Sequence, residues 1–293
     1  MRGSLEVVAT GPLALVEDGG RPRLAQIGVG VSGAADRRSY ELANRLVGND
    51  VGAAAIEVTL GGLEVEASGS DLWVALAGAP AGMSIGGTAV PPFSVERLRD
   101  GQRLAVQLPR TGLRSYLAVR GGVDVPEVLG SRSSDLMSAI GPDPLQPGDV
   151  LPIGDAAGPF PSVEQAPPRR DTTDTVVLRV VRGPRDARIA NPDTLVETTW
   201  TSSDRSNRIG MRLDGAELRS AGKDAGQLPS EGAWRGAIQV PPGGQPVLFL
   251  ADHPVTGGYP VVAVVVDADV DRAAQIRPGE PVRFSWQHAP TRS

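Results

Sequence analysis

Ile56-Glu57-Val58-Thr59-Leu60-Gly61-Gly62-Leu63-Glu64-Val65-Glu66 alternates apolar and polar residues on either side of a glycine pair. A period of two belongs to strands with one face on a core, and the 3.6-residue period of a helix is missing from it. Gly61-Gly62 between two such runs predicts a β-hairpin. Working outward, further strands are predicted at 72–77, 103–108, 116–119, 176–181, 247–250 and 261–266. Three helices are predicted. Residues 36–47 have Asp36 as cap, Tyr40, Ala43 and Val47 on one face, and Gly48 as stop. Shorter helices are expected at 192–199, capped by Asn191, and at 270–276, capped by Asp269. The chain's 37 glycines and 26 prolines, against 4% aromatic residues, suit many short elements joined by turns. The expected fold class is mainly β, with barrels or sandwiches carrying a few short helices.

With 40% apolar and 22% charged residues, the 293-residue chain has globular composition. Its net charge of −5 and the absence of a basic stripe exclude a typical nucleic-acid binder. Cysteine is absent, which removes disulfides, thiolate metal sites and cysteine nucleophiles. His253 and His288 alone cannot build a histidine-rich metal centre, and no metal ligands are assigned. The longest apolar run, 261–266, is strand-sized, and Glu6 stands where a signal peptide would be apolar. No membrane association is expected, and the cytoplasm is the simplest location.

A proline-rich stretch at 155–175 divides the chain into an N-terminal part, 1–154, and a C-terminal part, 176–293. Both parts open on a strand ending in Gly-Pro (Gly11-Pro12, Gly183-Pro184). Both close on a Pro-Gly-acid turn (Pro147-Gly148-Asp149, Pro278-Gly279-Glu280). The repeated order raises duplication of one β unit, with chance matching as the alternative.

No phosphate loop, dinucleotide fingerprint or nucleophile elbow is present. Several polar, glycine-rich segments remain. The first runs from Glu17 through Asp18, Gly20 and Arg21 to Ser32, Gly33 and Asp36, and reads either as an anion site or as turns plus a helix cap. The second holds Arg120-Gly121-Gly122 and Gly130-Ser131-Arg132-Ser133-Ser134, and suits phosphate or carboxylate as well as it suits a solvated loop. The remainder are 203–210, with Arg208; Ser230-Glu231-Gly232; Gln239 within 236–241; and 252–260, with Thr256-Gly257-Gly258-Tyr259. Asp252 follows an apolar strand and reads equally as base, metal ligand or turn residue. His253 reads as a turn residue.

These same segments resemble the biotin-dependent carboxyltransferase family, the group containing allophanate hydrolase subunit 2 and the C subunit of 5-oxoprolinase. The resemblance runs through Asp18-x-Gly-Arg21, Val31-Ser32-Gly33-Ala34-x-Asp36, Ala43-Asn44-x-Leu46-Val47-Gly48-Asn49 and Ile56-Glu57-Val58-Thr59. It continues in Tyr116-Leu117-Ala118-Val119-x-Gly121-Gly122, Leu129-Gly130-Ser131-Arg132-Ser133, Arg208-x-Gly210, Ser230-Glu231-Gly232, Gly236-Ala237-Ile238-Gln239-Val240-Pro241 and Thr256-Gly257-Gly258-Tyr259-Pro260. It implies two cyclophilin-like β-barrel domains. It also implies a partner, a homologue of the 5-oxoprolinase B subunit, and a third subunit, the complex opening 5-oxoproline to L-glutamate at the expense of ATP. Under this resemblance Asp18, Arg21, Arg132, Glu231 and Asp252 are the catalytic candidates. Ser32, Asn44, Glu57, Arg120, Ser131, Arg208, Gln239, Thr256, Gly257 and Tyr259 are the substrate-binding ones. The arginines would neutralise phosphoryl charge and the acids would hold Mg²⁺ or polarise the lactam nitrogen. Two alternatives also come with the resemblance: a biotin-using carboxyltransferase acting on urea or another amide, and a regulatory module antagonising a kinase inhibitor. The chain has one lysine, Lys223, and no Met-Lys acceptor pair, so biotin would arrive on another carrier. Glu17 stands where the family usually carries glutamine, and Pro254-Val255 stand before Thr256 where a polar Gln-Thr pair is usual.

Overall fold

The computed structural model describes residues 3–163, 165–167, 175–221 and 228–287. Lys223, His288 and part of the 155–175 stretch lie outside the described residues. The chain forms two units, one comprising Met1–Pro22 with Ser32–Asp171 and the other Arg23–Val31 with Thr172–Ser293. It is mainly β. No helix among the described residues is long and apolar enough to cross a membrane.

In the first unit eleven strands divide over two antiparallel sheets. The six-stranded sheet runs Val150–Pro152, Ser4–Thr10, Leu63–Ser68, Arg103–Val106, Met83–Ile85, Thr88–Val90. The five-stranded sheet runs Leu13–Glu17, Ala55–Thr59, Arg114–Val119, Leu72–Gly78, Val95–Leu98. Leu5, Val7, Leu63, Val65 and Leu104 of the first sheet share one core with Val16, Ile56, Val58, Leu76 and Leu117 of the second. Helix α1, Arg37–Leu46, covers the other face of the five-stranded sheet, where Tyr40 and Ala43 pack with Ala55, Ala75, Ala77, Tyr116 and Ala118. That sheet is therefore buried on both faces, which is why 72–77 and 116–119 are almost unbroken apolar runs. The six-stranded sheet shows one face to water. There Glu64 and Glu66 pair with Arg103 at 3.6 and 3.3 Å, and the clean alternation of 63–66 follows.

The predicted hairpin at Gly61-Gly62 does not form. Ala55–Thr59 pairs with Leu13–Glu17 and Arg114–Val119, whereas Leu63–Ser68 pairs with Ser4–Thr10 and Arg103–Val106. Leu60, Gly61 and Gly62 take φ of +57°, +69° and +81°, and these three left-handed residues carry the chain from one sheet to the other. A Cβ on Gly61 would sit 2.2 Å from the Gln107 carbonyl oxygen, so the crossing requires glycine. The neighbouring strand accordingly ends at Val106, two residues earlier than predicted.

In the second unit seven strands close into a barrel, in the order Val176–Arg182, Val261–Val265, Ala237–Gln239, Val247–Phe249, Gly210–Asp214, Trp200–Ser202, Pro281–Trp286. Trp200, Leu213, Ile238, Leu248, Ala263 and Val282 fill its interior. A two-stranded ribbon, Glu231–Gly232 with Thr256–Gly257, stands apart from the barrel ladder.

Helix α1 is capped as expected, the Asp36 carboxylate accepting from the Ser39 amide at 3.1 Å. Helix α2 is shorter than predicted, Thr194–Glu197, with Asp193 rather than Asn191 at its cap position. Helix α3, Asp267–Ala273, begins three residues early. Asp269 is not its cap, because its carboxylate accepts from the Arg179 amide (2.8 Å) and from Arg179 Nε and Nη2 (2.9 Å each).

The repeated Pro-Gly-acid turns are alike in detail. The Gln146 amide donates to Asp149 Oδ2 at 2.7 Å, and the Arg277 amide to Glu280 Oε2 at 2.8 Å. The strands that follow differ: Val150–Pro152 runs antiparallel to its opening strand, while Pro281–Trp286 runs parallel to Val176–Arg182. A common turn thus feeds two strand arrangements. The proline-rich stretch packs on the first unit, with Ser94 bridged to Gln165 and Phe160 edge-on to Trp73 at 5.2 Å.

Candidate functional site

In the first unit two polar loops interlock. The strand Leu13–Glu17 ends at Asp18, and the chain later returns through Gly33, whose φ is +84° and whose Cβ would lie 2.8 Å from the Gly20 nitrogen. This close return lets the Ala34 amide donate to the Asp18 carbonyl at 3.0 Å. The second loop, 130–134, brings hydroxyls to the Asp18 carboxylate. Oδ1 accepts from the Gly20 amide (2.7 Å), Ser131 Oγ (2.6 Å) and Ser133 Oγ (2.6 Å), and Oδ2 accepts from the Arg132 amide (2.6 Å). Ser32 Oγ donates to the Ser134 carbonyl at 2.9 Å. Four donors on one buried carboxylate take the place of its lost hydration. Asp18, Arg21, Ser32, Ser131 and Arg132 therefore come together, joined by Ser133.

The other first-unit candidates lie in packed networks. Glu57 sits on the helix-covered face, where Oε2 accepts from Tyr116 Oη (2.7 Å) and the Ala35 amide (2.9 Å), and Oε1 lies 3.3 Å from Arg114 Nε. Burial, with the Glu57 charge beside it, pushes the Tyr116 phenol well above its ordinary range. Asn44 Nδ2 donates to the Ala53 carbonyl (2.9 Å) and Oδ1 accepts from Asn49 Nδ2 (2.9 Å), which ties α1 to the loop beyond it. Arg120 Nη1 donates to the Val47 carbonyl (2.8 Å), Nη2 donates to Gly158, and the guanidinium lies 4.0 Å from the Phe160 ring centre. These three residues, expected at a ligand, hold elements together. An apolar cavity of about 410 Å³ opens beside Trp73, Val95, Phe160 and Pro161, and none of the nominated residues lines it.

The second unit holds its own set. Arg208 and Asp252 form a buried bidentate pair, Nε to Oδ2 and Nη2 to Oδ1, both 2.9 Å. That geometry engages both oxygens of Asp252, the residue read from sequence as base, metal ligand or turn residue. Glu231 is bound by Arg185, whose Nε lies 3.1 and 3.2 Å from its two oxygens, and this hydrogen bonding holds the carboxyl below its ordinary range. Through the ribbon, Glu231 pairs in register with Gly257 and Gly232 with Thr256. Gln239 reaches the same place, its Oε1 lying 3.5 Å from the position a Gly257 Cβ would occupy. Tyr259 follows at 37% exposure. His253 stacks on Phe249 with ring centres 5.8 Å apart.

Sequence reasoning passed over Ser133, Tyr116, Arg114 and Arg185. Ser133 stands in a nominated segment, but nothing marked it apart from Ser131 and Ser134. Arg185 follows Gly183-Pro184, a signature read only for duplication. The acids expected to hold Mg²⁺ do not fit that role. Asp18 and Asp252 are saturated and Glu231 is paired, and no group of three or more metal-ligating side chains occurs among the described residues.

Known proteins carry the same fold and pattern. The family described as carboxyltransferase domain, subdomain A and B, matches residues 27–286. The C subunit of 5-oxoprolinase from Escherichia coli (strain K12) is 39% identical over 96% of this chain and 90% of its own length. The solved structure of TTHA0988 superposes with a TM-score of 0.87 at 35% identity, covering 97% of this chain and 55% of that one. The K. lactis urea amidolyase superposes with a TM-score of 0.90 at 30% identity, over 98% of this chain and 19% of that one. This chain thus spans about half of one solved relative and under a fifth of the other. A pattern legible from Asp18 to Pro260, on a fold shared over nearly the whole chain, places this protein in the carboxyltransferase domain family, subdomains A and B.

Proposed function

We propose that this chain is the C subunit of an ATP-dependent 5-oxoprolinase, acting with a homologue of the B subunit and a third subunit to open 5-oxoproline to L-glutamate. The observation that carries it is the near end-to-end match to the E. coli C subunit, 96% of one chain against 90% of the other. ATP supplies an activated phosphoryl group for the lactam oxygen, and the chain's own residues bind and orient. The Asp18–Ser131–Ser133 knot fixes the loops that carry Arg21. The ribbon sets Glu231 beside Thr256 and Gly257, with Gln239 aimed at it. A rigid scaffold under polar loops is the arrangement that positional catalysis requires. The residues named for Mg²⁺ enter no step here.

The test is reconstitution. Mixed with the two partner subunits, the chain should support ATP-dependent glutamate release from 5-oxoproline, and its omission should abolish that release. Failure of all activity in an otherwise competent mixture overturns the assignment. The K. lactis superposition favours one second reading, carboxyl transfer to urea from a biotin carrier, which adding a biotin carboxylase and urea would reveal.

A further inference from the structure

Four of the candidate residues are arginines, and their donors are unequally used. Arg208 gives Nε and Nη2 to Asp252. Arg132 gives Nε to the Val125 carbonyl (2.8 Å), Nη1 to Glu127 (2.6 Å) and Nη2 to Asp124 (2.9 Å). Arg120 commits both terminal nitrogens to carbonyls and its face to Phe160.

Arg21 differs. It is 1% exposed; Nε reaches the Val128 carbonyl at 3.4 Å and Nη2 donates to the Ser133 carbonyl. Its Nη1 is buried and meets no hydrogen-bond partner among the described residues. The nearest acid in sequence, Asp18, is already saturated by Gly20, Ser131, Arg132 and Ser133. A buried donor left unmade is costly, and more so when charged. The loops around it are also strained. Ser32, Leu129 and Ala139 hold φ of +55°, +55° and +52°, a region unfavourable to non-glycine residues and found at ligand clamps.

We infer that Arg21 Nη1 is the anchor for one anionic oxygen of the small molecule this chain handles. With one terminal nitrogen free, the contact is to a single oxygen, not the two-pronged grip of a free guanidinium. A carboxylate oxygen and a phosphoryl oxygen share this chemistry. The identity of the molecule rests on the oxoprolinase reading, in which 5-oxoproline supplies the first and ATP the second. Entry requires the strained loops to part, and closure over the bound oxygen returns the guanidinium to a dry, paired state.

The test is equilibrium binding of 5-oxoproline, 2-pyrrolidinone and inorganic phosphate to the reconstituted complex, with Arg21→Lys and, as a surface control, Arg97→Lys. At least one anion should bind to wild type and to Arg97→Lys alike, and about tenfold more weakly to Arg21→Lys. A loss confined to 5-oxoproline, with 2-pyrrolidinone not bound, assigns the carboxylate; a loss confined to phosphate assigns the phosphoryl oxygen. If Arg21→Lys fails to fold, hydrogen exchange on the wild-type complex decides, with protection of 128–141 by either anion supporting the inference and no protection overturning it. No anion bound by wild type, or equal affinity in Arg21→Lys, also overturns it. Full ring-opening activity in Arg21→Lys would sink this inference and leave the proposed function standing. An inactive wild-type complex that still binds anions through Arg21 would do the reverse.

Discussion

Arg208 and Asp252 meet through two parallel hydrogen bonds of 2.9 Å, with both side chains removed from water. A pair this buried is a structural fastener, because each charge depends on the other for its lost hydration. Asp252→Asn should therefore lower unfolding free energy by about 3–5 kcal/mol, read from the denaturant midpoint. Replacing both residues by apolar ones of similar size should cost less than the single change. A stable but inactive Asp252→Asn would instead restore the carboxylate as a catalyst.

Asp18→Asn keeps the shape and presents an amide to donors that need an acceptor. Two serine hydroxyls and two backbone amides lose charge assistance, at a cost of roughly 2–4 kcal/mol. Limited proteolysis should then cut within 128–141 before the barrel of the second unit is attacked.

Arg120→Gln removes the link between the end of α1, Gly158 and the Phe160 ring. Hydrogen exchange should rise in 158–163 while the sheet amides of 114–119 stay protected. The global loss should be about 1–2 kcal/mol.

Glu231 titrates below the ordinary carboxylate range because Arg185 hydrogen-bonds to it. Its folded value lies beneath its unfolded one, so its contribution is complete above the ordinary carboxylate pKa and disappears as pH falls through the depressed value. Side-chain carboxyl NMR should show a low midpoint that moves upward in Arg185→Gln. An unchanged midpoint would mean that the pair does not form in solution.

Gly61→Ala forces a left-handed φ on a residue with a side chain and drives that carbon onto Gln107. The strain alone is about 1–2 kcal/mol, and the contact with backbone adds to it. Thermal unfolding should show a clear loss, whereas Gly87→Ala, with open space around it, should lose only the conformational part.

Local pattern was enough to find the strands read between 56 and 266 and helix α1, because a period of two, a capping acid and a glycine stop act over a few residues; Leu13–Glu17, Val95–Leu98 and Gly210–Asp214 were not read. Hydropathy did not reveal that Glu57 is buried: an alternating strand looks the same whether its polar side meets water or Tyr116 and Arg114. Gly61-Gly62 announced a turn but not its destination, since three left-handed residues in succession leave one sheet for another. The candidate residues were found by type and segment. Their use was not, since every arginine in a polar loop reads alike until its acceptors are counted.

The order of residues by itself determined a β-rich chain, its family, its lack of cysteine and the polar segments around Asp18 and Glu231. Only the tertiary structure decided which charges are spent on the fold and which remain. Arg208, Arg132 and Arg120 are engaged, and Arg21 keeps a buried donor open. The reason is that hydrogen-bond partners come from segments more than a hundred residues apart, as with Asp18 and Ser133, and no local pattern records such meetings.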